Sequence, residues 1–258
     1  MRLSWRETLS LTWVLAARDL RQRYRGSIFP GWSLLLPLIG GAASAGIAGA
    51  VFRVRFFAAD GAQGIWLPVL CGVLPWLQVQ EAVRRGVSSI ADNRPLARNA
   101  RVPLALFPLH LVAVSLVLEM ALLILAAPWL FPRAGLAGFL GVAAVLPLQV
   151  VFSAGLVLVL APLQVYIRDL APAVVLFLPA WFYASPILYG WERVPSWMHR
   201  LYAANPLAPL AAIYRDLLWE GRLPRAADAG ILAAWALAFG ITGWVVFRRL
   251  QARLVDEL

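Results

Sequence analysis

The chain is 258 residues long, 62% hydrophobic and only 14% charged, where a soluble domain carries about 25% charged residues. That apolar excess is more than one soluble core of this size can bury, so it excludes soluble globular and disordered classes and places the chain in a bilayer. The net charge of +10 rests on 23 basic residues, all of them arginine; without lysine there is neither a P-loop nor a Schiff-base site. One cysteine (Cys71) and two histidines (His110 and His199) leave no internal disulfide and no zinc cluster.

Residues 1–27 form a polar, cytoplasmic tail. Leu3, Leu9, Trp13, Ala16, Ala17 and Leu20 recur at helical spacing, while Arg18, Asp19, Arg21, Arg23 and Arg25 crowd the end of the segment. The pattern predicts an amphipathic helix lying on the cytoplasmic leaflet. Its arginines have two readings: positive-inside anchoring, or Arg18, Arg21, Arg23 and Arg25 gripping a phosphorylated lipid headgroup with their bidentate forks.

A helical span needs about 20 mostly apolar residues. Residues 28–52 qualify as the first, 65–80 completed by 81–83 as the second, and 102–131 as the third. The run 134–167 has no ionisable residue and predicts a long tilted fourth helix with an interfacial extension. Residues 170–191 and 229–247 supply the fifth and sixth. Between these, 201–214 is uncharged but too short to cross, which suits a re-entrant or interfacial segment. The expectation is one all-α membrane domain over 1–258: tail 1–27, five helices within 28–191, outer region 192–228, last helix 229–247 and cytoplasmic tail 248–258.

Arginine placement sets the orientation. Fifteen fall in the tail, after the second span, after the fourth and after the sixth; eight fall on the other side, five of them between Arg193 and Arg225. The bias puts both termini in the cytoplasm. The five outward arginines then need an outer headgroup layer in which to snorkel. Six helices are few to enclose a large substrate path, which suggests a homodimer, and no internal repeat of the secondary-transporter kind is visible.

Ionisable groups inside spans are costly. His110 and Glu119 stand nine residues apart, about 13 Å along a helix, too far to pair. A proton relay is one reading of Glu119; a protonated Glu119 bonded to a neighbouring helix is the preferred one. Gln78, Gln80, Gln149 and Gln164 read as interhelical glue, and the small residues Gly40–Gly46 as a close-approach or path-facing surface.

The run Arg18-Asp19-Leu20-Arg21-Gln22-Arg23-Tyr24-Arg25-Gly26-Ser27, continued by Gly31-Trp32-Ser33 and Leu36-Pro37-Leu38, resembles the start of bacterial polysaccharide ABC exporter permeases. These are the membrane subunits that export O antigen, teichoic acid and capsule. Tyr166-Ile167-Arg168-Asp169-Leu170, then Phe182-Tyr183-Ala184-Ser185-Pro186-Ile187-Leu188-Tyr189 with Val194-Pro195, then Asn205-Pro206-Leu207 follow in the family's order. The stretch 101–108 departs from it: where the family carries Phe-Pro, this chain has Val102-Pro103 and then Phe107-Pro108.

The resemblance implies a multi-pass protein of the bacterial inner membrane, not itself an enzyme. Two permeases form the path, and two ATPase subunits, which bind ATP and magnesium, dock from the cytoplasm; the chain itself needs no cofactor or metal. Coupling to the ATPase falls on Asn93, Arg94, Pro95, Leu96, Arg98 and Asn99, with Arg168 and Asp169 as a second contact. An ordinary basic loop, and a local ion pair between Arg168 and Asp169, are the plainer readings. The substrate path falls on Phe177, Trp181, Phe182, Tyr183, Tyr189 and Trp191, since aromatic faces stack on sugar C–H faces; an interfacial aromatic belt competes with this reading for Trp191. Trp181, Phe182 and Tyr183 are consecutive, so at least one faces lipid or another helix. Re-entrant helices after the fifth span would close the path outside.

Two rivals remain. One is a permease of the same architecture exporting a drug or lipid. The other is a polytopic glycosyl- or acyltransferase, for which Asp60, Glu81 and Glu192 offer only scattered carboxylates.

Overall fold

A computed structural model describes residue 14 and residues 16–19, 63–99, 102–188 and 204–257; all regular structure among these is helical. The predicted first span and the region 189–203 lie outside the described residues.

Helix α1 (Gln63–Gly86) covers the second predicted span and keeps Pro68 and Pro75 inside it. Two short helices follow, α2 (Ser89–Asp92) and α3 (Arg94–Asn99). The next element, α4 (Leu106–Tyr166), holds the third and fourth predicted spans in one run of 61 residues. It starts four residues later than expected, because residues 102–105 form a turn closed by the Leu106 amide on the Pro103 carbonyl at 2.9 Å.

The break between the two limbs of α4 falls at Gly135, with φ 55° and ψ −170°, rather than at Pro132-Arg133. That backbone conformation favours glycine, whereas Pro128 and Pro132 are absorbed into the helix. The limbs fold back as a hairpin: Phe131 and Phe139 meet across the tip at 6.1 Å, and Glu119 bonds Gln149 farther down. Each limb exceeds the roughly 20 residues that a crossing requires.

Helix α5 (Leu170–Tyr183) has 14 residues, about 21 Å, short of the ~30 Å hydrocarbon core. It ends well before the expected Trp191. Pro186 disfavours helical geometry at Ser185, and the chain tightens there as the Ser185 amide turns to the Phe182 carbonyl at 3.2 Å. Helix α6 (Leu207–Leu218) begins later than the predicted run 201–214 and takes in Arg215 and Asp216. Helix α7 (Ala226–Glu257) extends the sixth predicted span at both ends.

Helix α4 and the stretch Ala226–Leu254 of α7 are each long and apolar enough to cross a membrane. They meet at glycines: a side chain at Gly155 would strike the Phe239 backbone, and one at Gly243 the Gly155 carbonyl. Small residues let helix backbones touch where lipid gives little hydrophobic drive to association.

The main core joins α1, both limbs of α4, α5, α6 and α7 through residues such as Leu74, Phe152, Leu178, Tyr214 and Leu232. A second cluster, at the end of the bundle that carries α2 and α3, joins Ile90 of α2, Ala97 of α3, Phe107, Leu158 and Val165 of α4, and Phe247 and Leu254 of α7. A polar seam crosses the main core, with Gln78 of α1, Ser115, Glu119, Gln149 and Ser153 of α4, and Tyr214 of α6. Gln78 and Gln149 thus bond between helices as expected. Gln164 instead serves its own junction, accepting from the Ala171 amide at 2.8 Å and donating to the Arg168 carbonyl at 3.2 Å. Among the described residues no buried side-chain nitrogen or oxygen lacks a partner.

Candidate transport path and coupling surface

Only one stripe of α5 packs inward: Val174, Leu178 and Phe182, four residues apart, are its buried positions. The rest of the helix is open, with Leu176 78% exposed, Phe177 58% and Tyr183 52%. Phe182 therefore leaves the open face and packs inside the protomer on Trp76, centroids 5.6 Å apart. Trp181 sits half-buried between the two environments. It meets Phe177 at 5.8 Å on the open side and Trp76 edge-on at 5.9 Å on the closed side. Tyr183 completes the open aromatic strip, while Tyr189 and Trp191 lie outside the described residues.

Two motifs that are 20 residues apart in sequence meet at this strip. Trp181 Nε1 donates to Asn205 Oδ1 at 3.1 Å, Asn205 Nδ2 donates to Ser185 Oγ at 2.8 Å, and Ser185 Oγ donates to the Trp181 carbonyl at 2.7 Å. Asn205 Oδ1 also accepts from the Leu207 amide at 3.1 Å. The Asn205-Pro206-Leu207 turn thus starts α6 and fixes the indole of α5 with one side chain. Spacing alone marked these residues without revealing that they bond to each other.

At the end of the bundle that carries the second cluster, Pro95 lies in the first turn of α3, where its missing N–H costs no helix bond. Ile90 and Ala97 are buried in that second cluster, Pro95 is exposed, and Asn93, Arg94 and Leu96 are half-buried. The Asn93 amide holds the α2–α3 junction by donating to the Ser89 carbonyl at 2.8 Å. Arg98 and Asn99 form the last turn of α3; their side chains lie outside the described set. Arg168 and Asp169 are exposed in the turn between α4 and α5, next to Val165 of the same cluster, and no ion pair joins them.

The N-terminal arginines part company. Ala16 is buried against Val114 and Leu118 of α4. Asp19 receives a fork from Arg85 at 2.6 and 2.5 Å, so the acidic member of the basic run is a tether to the end of α1. Burial opposes the Arg85 charge, but the Asp19 carboxylate outweighs it and holds the guanidinium above its ordinary pKa. Arg18 is exposed, whereas Arg21, Arg23 and Arg25 lie outside the described residues.

Arg215, one of the five arginines between 193 and 225, does not reach out to a surface. It is 8% exposed, donating through Nε to the Pro68 carbonyl at 3.2 Å and through a terminal nitrogen to the Ile187 carbonyl. The Ile187 carbonyl lies past the end of α5. Space for the guanidinium comes from Gly72, where a Cβ would sit 2.8 Å from it. Arg222, by contrast, lies half-exposed and binds Asp216 at 2.7 Å. His110 stays local, its Nδ1 3.0 Å from the Leu106 carbonyl.

These features define a membrane protein, helical throughout its described regular structure, with an apolar aromatic strip on one open face and two short helices at one end of the bundle. No family profile matches the chain. Among curated proteins it is similar to the O-antigen export system permease protein RfbA of Myxococcus xanthus, 30% identical with 93% of this chain and 90% of the relative covered. Two Klebsiella pneumoniae proteins of the same name are 25% and 24% identical, each over 95% of this chain and 93% of the relative. The chain belongs to this family of O-antigen export permeases, membrane subunits of polysaccharide ABC exporters.

Proposed function

We propose that this chain carries a lipid-linked polysaccharide, an O antigen or similar glycan, across the bacterial inner membrane as the permease of an ATP-driven exporter. The observation that carries the reading is similarity over nearly the whole chain to O-antigen export permeases. The open strip of Phe177, Trp181 and Tyr183 on α5 supports it. In this reading two copies face each other across their α5 helices, so the rings that the protomer leaves bare line a shared conduit. Aromatic faces let sugar units slide past without gripping any one of them.

Each copy crosses the membrane six times with both termini in the cytoplasm. The segment 192–228 forms the outer re-entrant region and closes the path. Arg18, Arg21, Arg23 and Arg25 receive the pyrophosphate of the lipid carrier at the cytoplasmic face. ATP and magnesium are bound by two partner ATPase subunits. These subunits push on Asn93, Arg94, Pro95, Leu96, Arg98 and Asn99, and on Arg168-Asp169, which sit above the shared cytoplasmic cluster of α2, α3, α4 and α7.

Export of a drug or lipid is less favoured, since the named relatives are O-antigen permeases. A transferase is less favoured too: Glu81 is held by Arg84 at 2.7 Å, and Asp60 and Glu192 lie outside the described residues. The experiment is deletion and complementation. Cells lacking the gene should lose surface glycan and accumulate it inside. Purified chain should hydrolyse no ATP until a partner ATPase is added. Intact surface glycan in the deletion strain overturns the reading.

A further inference from the structure

Glu119 lies deep in the seam, 1% exposed. The Tyr214 hydroxyl oxygen is 2.8 Å from Glu119 Oε1 and 2.8 Å from Gln149 Oε1, and Gln149 Nε2 is 2.9 Å from Glu119 Oε2. Three side chains therefore touch pairwise in a closed triangle, and each edge needs a proton between its two heavy atoms.

Tyr214 owns one proton. Gln149 supplies a proton along one edge only, because its nitrogen faces Glu119 and its oxygen faces Tyr214. Turning the carboxamide over gives Tyr214 the nitrogen but puts the oxygen against Glu119, so the deficit moves without vanishing. Two protons serve three edges in either orientation. We infer that the third proton belongs to Glu119, which is a neutral carboxylic acid donating into the triangle, and that this single proton locks four helical segments together.

The rest of the seam agrees with this inventory. The second N–H of Gln149 reaches Gln78 Oε1 at 3.0 Å, and Ser153 Oγ donates to the same oxygen at 3.0 Å. Gln78 Nε2 donates to Ser115 Oγ at 3.0 Å, and Ser115 donates to the Val112 carbonyl at 2.8 Å. Each of the protons named then has one acceptor, and α1, both limbs of α4 and α6 are joined. The groups facing Glu119 are a phenol and a carboxamide. Arg215, one residue along α6, aims its guanidinium at the Pro68 and Ile187 carbonyls. An ionised Glu119 would instead leave two oxygens in contact with no proton between them, in a place where an unmet polar contact is costly.

A neutral donor–acceptor at position 119 can be replaced by another, so Glu119→Gln is the discriminating variant: its carboxamide donates to Tyr214 and accepts from Gln149. The full chain in lipid nanodiscs at neutral pH should show the infrared carbonyl band of a protonated carboxylic acid, and Glu119→Gln should lose that band. Glu119→Gln should also unfold within about 2 °C of the parent, whereas Glu119→Leu should unfold about 5 °C lower or fail to accumulate. Either of two results overturns the inference: no carboxylic acid band that depends on residue 119, or Glu119→Gln losing as much stability as Glu119→Leu.

Discussion

Helices α5 and α6 are similar in length, 14 and 12 residues, and opposite in construction. Helix α5 contains no charged residue, yet only Val174, Leu178 and Phe182 are buried. Helix α6 contains Arg215 and Asp216, yet every position except Ala212 is buried. In water the more polar helix would lie outside. In a membrane protein the apolar helix can face lipid or a partner, while the charged one needs enclosure by groups that satisfy it. The contrast teaches that charge within a short segment signals internal fastening here, and that lack of charge signals a surface.

The strongest test of that contrast is Arg215→Met, which removes the donor that Arg215 gives to the Pro68 and Ile187 carbonyls. It should cost about 3 kcal/mol of stability, read as a lower thermal unfolding midpoint in nanodiscs. Gly72→Val attacks the same fastening from α1 by filling the space of the guanidinium, and should cost about 2 kcal/mol. Combined with Arg215→Met its effect should be less than additive, as expected for two changes to one contact; full additivity would mean that Gly72 serves some other purpose.

Trp181→Phe comes next, at about 1 kcal/mol, since it keeps the ring contacts and loses the N–H donated to Asn205. Phe177→Ala and Tyr183→Ala on the open face should change stability least, within about 0.5 kcal/mol. In the proposed reading they nevertheless slow appearance of glycan at the cell surface several-fold. If they unfold the chain as readily as Arg215→Met does, the two helices do not differ in the way described.

Much of this architecture is written in long-range composition. The apolar runs located α1, both limbs of α4 and α7, because a span of about 20 uncharged residues has few other uses. Helix ends were less legible. Pro128, Pro132 and Pro186 look alike in sequence, but the first two are carried inside α4 while the third follows the end of α5. The difference lies in the neighbours that each proline leaves to be satisfied.

Arg215 was misplaced for a related reason: counting arginines between spans assigns a side of the membrane and says nothing of depth. Two of the groups it binds are backbone carbonyls, which leave no mark in the side-chain pattern. The aromatic triplet showed the same limit. Consecutive helical positions point about 100° apart, so Trp181, Phe182 and Tyr183 had to diverge, but only the position of Trp76 decides that Phe182 is the inward member. The Asn205-Pro206-Leu207 turn was recognisable as a landmark, and its bond to Trp181 became visible only once two distant segments were brought together.

That bond has a mechanical consequence. Asn205 holds the end of α5 through Trp181 and Ser185, and the start of α6 through the Leu207 amide. A tilt of α5 is therefore transmitted straight into the enclosed helix. At the opposite end of α5, Arg168 and Asp169 stand exposed in the turn that joins it to α4, and Gln164 fastens that turn through the Ala171 amide and the Arg168 carbonyl. The aromatic strip is thus pinned at both ends, to α6 through Asn205 and to α4 through Gln164.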